Sequence, residues 1–274
     1  MDLRDPPGGE GWRSNPTVPP TGRTGEPVTG PTQPATEPAS ARRPSGLAGT
    51  QRVWRWPRRI LLGLVVLAGL LLAQIFVYRF AMPAWTPTMA VSWLMGEPVV
   101  QQWVPLRRIS PQLIRAVIVS EDARFCVHHG IDFGELKAAI EEARGGASPR
   151  GASTITMQVV KNVFLWPSKS YLRKALEVPL TYLMEFVWPK QRIIEVYLNI
   201  AEFGDGIYGV AAASERYFGV TPAQLSTHQA ALLAAVLPNP RRLHADRPSP
   251  YVQRRANWIE RQVRQLGGPG YLDP

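Results

Sequence analysis

Residues 121–132 read Glu-Asp-Ala-Arg-Phe-Cys-Val-His-His-Gly-Ile-Asp and follow an apolar segment, Pro111–Ser120, whose pattern predicts a helix. A carboxylate that such a helix delivers into a cleft with apolar walls has a raised pKa and can act as an acid or a base. The same pattern also fits a helix that ends in solvent with Gly130 as its cap. This stretch alone leaves both interpretations open.

The composition favours a folded domain with an anionic partner. The chain has 274 residues, 45% of them hydrophobic, and a formal net charge of +10. An anionic membrane or a phosphorylated substrate would match this charge. No zinc-finger spacing, RNP motif or basic recognition helix supports nucleic acid as a partner. The single cysteine, Cys126, excludes an internal disulfide.

An apolar run at 60–78 separates a polar tail from the rest of the chain. The tail, residues 1–51, is rich in Pro, Gly, Thr and Ser and lacks aliphatic clusters, which predicts a disordered segment. As a helix, the apolar run would span about 28 Å, close to the hydrocarbon thickness of a bilayer. The sequence therefore predicts a transmembrane anchor at 52–80.

The arginines around the apolar run predict its orientation. Four arginines stand between residues 52 and 59, and only Arg79 follows the run before Arg107. The positive-inside rule then predicts a single-pass protein of the plasma (inner) membrane, with its tail in the cytoplasm and the rest in the periplasm or outside the cell. The length and apolarity of the run argue against a buried core helix. The long lead before it and the lack of a small-x-small cleavage site argue against a signal peptide.

The remainder of the chain is predicted to be a connector, 81–109, and one mainly α domain, 110–274. The tryptophans, methionines and prolines of the connector fit either a segment lying along the membrane or ordinary packing. Alternating strand patterns are scarce in the domain. Helices are predicted at 111–120, with Ser110 as N-cap, at 134–144, 154–164, 171–187, 190–199, 209–218 and 250–266, with Gly267-Gly268 ending the last one, and from the capping box at 226–229 to just before Pro238.

Two further stretches carry groups suited to a phosphate. Residues 145–154 form a glycine- and hydroxyl-rich loop that leads into a helix, where free N–H groups and the helix dipole favour an anion. Arg173, Lys174 and Glu177 are three and four residues apart and can share one helical face. A plain capped helix and a solvated salt-bridged face are the alternatives for each stretch alone. Combined with residues 121–132, they predict a site for a phosphorylated sugar beside a membrane.

Five blocks, in this order, resemble the peptidoglycan glycosyltransferases of the lysozyme-like type, glycosyltransferase family 51. That family has four motifs and a further segment after them. The stretches of this chain that resemble them are, in order, residues 121–132, 151–162, 173–177, 190–199 and 206–219. One departure is Met157, where family members often carry Gln and where a thioether cannot replace an amide. The resemblance implies a lysozyme-like glycosyltransferase domain behind a single N-terminal transmembrane helix. No Ser-x-x-Lys or Lys-Thr-Gly motif occurs, so we expect the form without a transpeptidase.

The resemblance also implies a reaction and a set of site residues. The reaction would polymerise lipid II into β-1,4-linked glycan strands, with inversion at the anomeric carbon and release of polyprenyl diphosphate. Glu121 would be the general base, and Glu177 would orient cations or hold a divalent Mg or Mn ion on the diphosphate. Asp122 and His128 would support the Glu121 loop. The expected substrate-binding residues are Ser153, Thr154, Gln158, Lys161, Asn162, Arg173 and Lys174.

Two other functions and one metal site are alternatives to this prediction. A lytic transglycosylase on a lysozyme-like scaffold would cleave peptidoglycan with one Glu and would not need the basic face. A membrane-anchored cell-wall scaffold with a decayed site would not need charged motif residues, yet Glu121, Lys161, Arg173 and Glu177 are all present. A zinc site from Cys126, His128 and His129 lacks a second ligand cluster of matching spacing. No cofactor is required by the sequence, and the expected partners are lipid II, the nascent glycan strand, membrane lipid and other cell-wall synthesis or division proteins.

Overall fold

The computed structural model describes residues 55–146, 151–168 and 170–265 of the chain. Several sequence-based expectations lie outside these residues. They are the disordered tail at 1–51, the start of the anchor at 52–54, positions 147–150 of the glycine-rich loop, and the Gly267-Gly268 stop signal.

The described residues are mainly helical, which confirms the predicted fold class. They form α1 (Arg55–Tyr78), α2 (Pro87–Leu94), α3 (Pro111–Glu121), α4 (Phe133–Arg144), α5 (Ile155–Phe164), α6 (Tyr171–Val187), α7 (Lys190–Ile200), α8 (Val210–Phe218), α9 (Thr227–Val236) and α10 (Pro250–Gln265). Two short 3₁₀ helices, Leu106–Arg108 and Pro222–Gln224, complete the helical elements of this part of the chain. Every helix predicted from residue 111 onward is present.

Side-chain caps explain where several helices begin. Oγ1 of Thr154 accepts a hydrogen bond from the Met157 N–H at 3.2 Å at the start of α5. The capping box at 226–229 opens α9. Ser110 differs from the prediction, because its hydroxyl donates to the Leu225 carbonyl at 3.1 Å and does not cap α3. The Ser110 side chain therefore links two segments that are distant in sequence and does not cap the helix.

The first helix has the properties of a membrane anchor. Within the described ranges, Trp56–Tyr78 is the one helix long and apolar enough to cross a membrane, with a mean hydropathy of 2.8. Most of its apolar side chains are exposed, whereas a core helix would bury them. The helix thus fits a membrane-anchored protein. Its last turn is bonded to the domain, since the Trp188 indole N–H donates to the Ile75 carbonyl at 2.8 Å and Arg192 Nη2 donates to the Tyr78 carbonyl at 2.9 Å.

The segment at 81–109 is partly packed into the domain and partly exposed. Met89 in α2 and Val104 further along are buried in the common core. Trp85 and Trp93 remain exposed and meet edge to face, with ring centroids 6.4 Å apart. Part of the predicted connector is therefore built into the domain.

A small three-stranded sheet, which no alternating sequence pattern predicts, lies beside the helices. Its strand order is β1-β3-β2, where β1 (Val100–Gln101) runs parallel to β3 (Ile207–Tyr208) and β2 (Glu202–Gly204) runs antiparallel to it. Strands of two or three residues are too short to show a period of two. Gly206 makes the β2–β3 turn at a φ of 69°, and a Cβ there would lie 2.0 Å from the Pro98 carbonyl oxygen.

The core is centred on α9, in which every residue from Ala230 to Val236 is buried. This helix packs against α3 and α10, while α5 packs against α6 and α7. Small alanine side chains let the neighbouring helices approach closely. As a result, the end of α3, the first turns of α5 and the start of α10 meet at one place.

Candidate active site

Glu121 is the last residue of α3, and its carboxylate contacts side chains of α5 and α10. The side chain is 13% exposed, its Oε2 accepts from Gln158 Nε2 at 3.1 Å, and its Oε1 lies 3.9 Å from Arg255 Nη2. Gly130 does not cap this helix, because α3 ends at Glu121 and Gly130 lies in the later loop with a φ of 91°. The alternative of a solvated helix end is therefore wrong.

The surroundings of Glu121 change its affinity for a proton. Burial raises the pKa of its carboxyl group above the usual range. The hydrogen bond from Gln158 and the charges of Arg255 and Lys161 oppose that rise, whereas the charge of Asp122 adds to it. A carboxylate with a raised pKa is a stronger base, which suits proton abstraction near neutral pH.

Asp122 joins the loop after α3 to the start of α5. Its Oδ1 lies 2.8 Å from Nε2 of His128, and its Oδ2 accepts from the Ile155 N–H at 3.0 Å. The Gly130 N–H donates to Nδ1 of His128 at 3.2 Å. A neutral imidazole that accepts at Nδ1 carries its proton on Nε2, so it donates to Asp122. These contacts fix the loop that follows Glu121 against the start of α5.

Three of the predicted substrate-binding residues lie on one face of α5. Gln158, Lys161 and Asn162 are three and four residues apart, and each is partly exposed. Gln158 reaches Glu121, as described above, and Lys161 interacts electrostatically with both Glu121 and Glu177. This face of α5 thus carries groups that interact with the carboxylate of α3 and with the charges of α6.

Thr154 requires a correction. It was expected to donate to the substrate, but it is buried and its hydroxyl donates to the Gly130 carbonyl at 2.5 Å while accepting from the Met157 N–H. Both hydrogen-bonding functions are used within the protein, so the residue caps α5. Ser153 next to it is exposed, with Oγ 3.4 Å from Nζ of Lys174.

A cluster of charges on α6 surrounds the Glu177 carboxylate, which is 3% exposed. Arg173 Nη1 binds its Oε1, and Lys174 Nζ lies 2.7 Å from its Oε2. Because the carboxylate is buried and the Arg173 side chain is only 14% exposed, a fully solvated salt-bridged face is ruled out. Glu177 instead pairs with two cations of its own helix.

Lys161 connects this cluster electrostatically to Glu121. Burial lowers the pKa of its ammonium group, Glu177 and Glu121 raise it, and Arg173 and Lys174 lower it further. The lysine therefore lies within the electrostatic field of the Glu121 carboxylate and of the Arg173 and Lys174 cations.

Three residues of the site were not singled out from the sequence. Tyr197 donates to Gln158 Oε1 at 3.3 Å, and Lys190 donates to the His128 carbonyl at 2.9 Å while its Nζ lies 4.5 Å from the centroid of the Phe125 ring. Tyr197 and Lys190 belong to the block at 190–199, so their place in that block was the available signal. Arg255 lies outside all five blocks, so no sequence pattern indicated it.

The described residues do not form a metal site. No group of three or more His, Cys, Asp or Glu side chains in this part of the chain could hold a metal ion. Both ring nitrogens of His128 have partners, which leaves the suggested Cys126–His128–His129 set without that ligand. Both oxygens of Glu177 are likewise occupied by cations. The Glu177 carboxylate, already paired with two cations, thus does not fit the divalent ion considered for the diphosphate.

Comparison with known proteins identifies close similarities over most of the chain. The family model described as "Transglycosylase" matches residues 89–264. The chain is 51% identical to the biosynthetic peptidoglycan transglycosylase of Rhodospirillum centenum, over 79% of this chain and 96% of that protein. It is 46% identical to the proteins of the same name from Xylella fastidiosa, over 80% and 93%, and from Chromohalobacter salexigens, over 80% and 97% of the respective chains.

Proposed function

Because the chain belongs to the transglycosylase family and is a peptidoglycan glycosyltransferase of cell-wall synthesis, we propose that it polymerises lipid II with Glu121 as the general base. The growing strand, attached to a polyprenyl diphosphate, is the donor, and the 4-hydroxyl group of lipid II is the acceptor. One observation carries the proposal. Gln158 of α5 binds the Glu121 carboxylate at 3.1 Å, and Ser153, just before the same helix, lies 3.4 Å from the Lys174 ammonium group that pairs with Glu177.

The proposed reaction forms one bond at the anomeric carbon and breaks another. Glu121 accepts the proton of the 4-hydroxyl group as the oxygen forms a bond to the anomeric carbon of the donor. The polyprenyl diphosphate leaves from the opposite face of that carbon and takes with it the electron pair of the broken carbon–oxygen bond. The anomeric carbon is thereby inverted, giving the β-1,4 link. The raised pKa of Glu121 supports this role because it strengthens the base.

The leaving diphosphate gains negative charge as the bond breaks. Arg173, Lys174 and Lys161 would stabilise that charge, and Glu177 holds Arg173 and Lys174 in place before the reaction by direct ion pairs. Fixed charges in a partly dry cleft stabilise a transition state without reorganising, and this effect is often the largest single contribution to catalysis. Ser153, Gln158 and Asn162 would add hydrogen bonds.

The membrane anchor would place this site where its substrate is found. Lipid II carries a polyprenyl chain and is therefore confined to the bilayer. The exposed apolar surface of α1 and its hydrogen bonds to Trp188, just after α6, and to Arg192 of α7 support a domain held directly above the membrane. The arginines between 52 and 59 support a cytoplasmic N-terminus and a catalytic domain on the other side of the inner membrane.

A polymerisation assay tests the proposal. The full chain in detergent is incubated with lipid II, and the product is digested with a muramidase. We expect a polymer that the muramidase degrades, and we expect Glu121→Gln to lower the rate by about 10²–10⁴-fold because the amide cannot accept the proton. Glu215→Gln, which alters an exposed carboxylate on α8, is the matched control. Release of fragments from preformed glycan, without polymer formation from lipid II, would indicate the lytic reaction instead.

A further inference from the structure

A directed chain of hydrogen bonds runs from α7 to the proposed base. Tyr197 is 1% exposed, and its hydroxyl donates to Oε1 of Gln158 at 3.3 Å. The other end of the same amide donates through Nε2 to Oε2 of Glu121 at 3.1 Å. Gln158 is the one hydrogen-bond partner of the Tyr197 hydroxyl among the described residues. The orientation of a single amide therefore connects a buried phenol to the catalytic carboxylate.

The two orientations of that amide favour different protonation states of Glu121. With the NH₂ group toward Glu121, the amide donates to an ionised carboxylate, which can only accept. With the carbonyl oxygen toward Glu121, the amide would repel the ionised form and accept a proton from the protonated form. Whatever fixes the amide orientation thus affects whether Glu121 is ready to accept a proton.

Tyr197 favours the first orientation. Burial raises the pKa of its hydroxyl well above the usual value, and the charges of Glu121 and Asp122 raise it further, so the group keeps its proton. That proton has an acceptor only while Oε1 of Gln158 points toward α7. Turning the amide over would let Nε2 donate to the phenol oxygen but would leave the buried hydroxyl proton without an acceptor among the described residues, which is costly.

The remaining charged groups that face Glu121 do not depend on this amide. Arg255 approaches from α10, Lys161 from α5, and Asp122 is the next residue in the chain. A change of Tyr197 to Phe would leave all three in place. Its effect on Glu121 would therefore isolate the contribution of the amide orientation.

We propose that Tyr197 is a positioning residue whose buried hydroxyl holds the Gln158 amide with its NH₂ group toward Glu121 and so keeps the base in its proton-accepting form. The proposal rests on the proposed function for Glu121 as the base of the reaction. It assigns a task to a residue that does not reach the substrate.

The test is the pH dependence of polymerisation by Tyr197→Phe. We expect the acidic limb of the rate profile to move up by about one pH unit, since a hydrogen bond to a charged group is worth about tenfold or more in an equilibrium. Below that limb the rate should fall about tenfold, with most of it recovered at higher pH. Tyr208→Phe is the matched control, because Tyr208 is equally buried and its hydroxyl lies 3.1 Å from Ser92 Oγ, not from Gln158. An unchanged profile, or an equal loss at every pH, would overturn the proposal.

A double mutant separates positioning from packing. Gln158→Met removes the amide but keeps the length of the side chain, and we expect it to shift the acidic limb at least as far as Tyr197→Phe. In the Gln158→Met background, Tyr197→Phe should have no further effect on the limb. Independent, multiplying effects would contradict the proposal. If Tyr197→Phe fails to fold, an unshifted limb in Gln158→Met alone overturns it.

A substrate-free measurement distinguishes this inference from the proposed function. The carboxyl pKa of Glu121 can be followed by NMR of the protein labelled with ¹³C-glutamate, with the signal assigned by its loss in Glu121→Gln. A higher pKa in Tyr197→Phe, together with a wild-type protein that does not polymerise lipid II, would refute the function and keep the positioning role. Polymerisation by the wild type, together with an unchanged Glu121 pKa in Tyr197→Phe, would support the function and refute the positioning role.

Discussion

Nη2 of Arg255, in the last helix, lies 3.9 Å from Oε1 of Glu121, at the end of the first helix of the domain core. The same guanidinium donates to the Ser120 carbonyl at 3.4 Å. The C-terminal helix thus contributes a positive charge to the proposed base. That charge opposes the effect of burial and helps to keep the carboxylate ionised.

Removing this charge should make Glu121 harder to ionise. We expect Arg255→Gln to raise the pKa of Glu121 further and to move the acidic limb of the polymerisation profile to higher pH, whereas Arg255→Lys should move it less because a cation remains. The adjacent Arg254 is exposed, so Arg254→Gln is the matched control. Equal shifts in the Arg254 and Arg255 variants would show that the effect is one of overall charge.

The buried carboxylate of Glu177 should matter through the cations it holds. We expect Glu177→Gln to lower turnover by about 10²-fold, because misplacing charged groups by about 1 Å can have that effect. The control is Glu141→Gln, since Glu141 lies four residues from Lys137 on the exposed face of α4 and forms the same kind of pair. Comparable turnover in the two variants would return the Arg173–Lys174–Glu177 cluster to a structural role.

Lys161 should set the alkaline limit of activity. Its pKa is lowered, mainly by burial, so the positive charge is lost as the pH rises through that value. Arginine stays charged throughout this range, and we expect Lys161→Arg to extend activity to higher pH at a lower maximal rate. Lys137→Arg on exposed α4 serves as the control. If the alkaline limb is the same in all three proteins, another group determines it.

Asp122 should contribute to stability more than its position beside the base suggests. Asp122→Ala leaves His128 and the Ile155 N–H without their buried partner, and each such loss costs about 1–3 kcal/mol. We therefore expect the free energy of unfolding in detergent to fall by about 2–5 kcal/mol. The exposed Asp246→Ala should change it by less than about 0.5 kcal/mol. A similarly small change in Asp122→Ala would show that the bridge is dispensable.

The topology proposal can be tested with reporter fusions. A reporter joined before residue 50 should behave as cytoplasmic, and one joined after Pro274 as periplasmic or extracellular, because the arginines between 52 and 59 favour the inner side of the membrane. Substituting those arginines with glutamine should weaken this preference. The opposite labelling of the two fusions would contradict the orientation.

Most of the helical fold was predictable because its signals are local. Helix α6 begins and ends where the sequence places it, at Tyr171 and Val187, since Ser170 caps its start and Pro189 follows its end. The small sheet was not predictable, because β1 pairs with β3 about a hundred residues away and all three strands are too short for a periodic pattern.

The candidate site was predictable to the extent that its residues fall within motif blocks. Glu121 and Glu177 could be named from the sequence, but their burial and partners depend on helix packing. Thr154 shows the limit of such reasoning, because a hydroxyl at a helix start serves either a ligand or the helix, and only the position of the Gly130 carbonyl decides between them. Arg255 reaches Glu121 through the packing of α10 against α3, which no local pattern encodes.

The bonds between the end of α1 and helices α6 and α7 have a consequence for how the enzyme would search for substrate. Arg192 also donates to the Ala81 carbonyl at 2.5 Å, so the chain leaving the bilayer is clamped at more than one point. With α1 in the membrane, the site would stay at a constant height above the lipid surface. Encounters with lipid II would then be collisions between two partners diffusing in a plane, and their frequency would depend on lipid fluidity and surface density instead of bulk concentration.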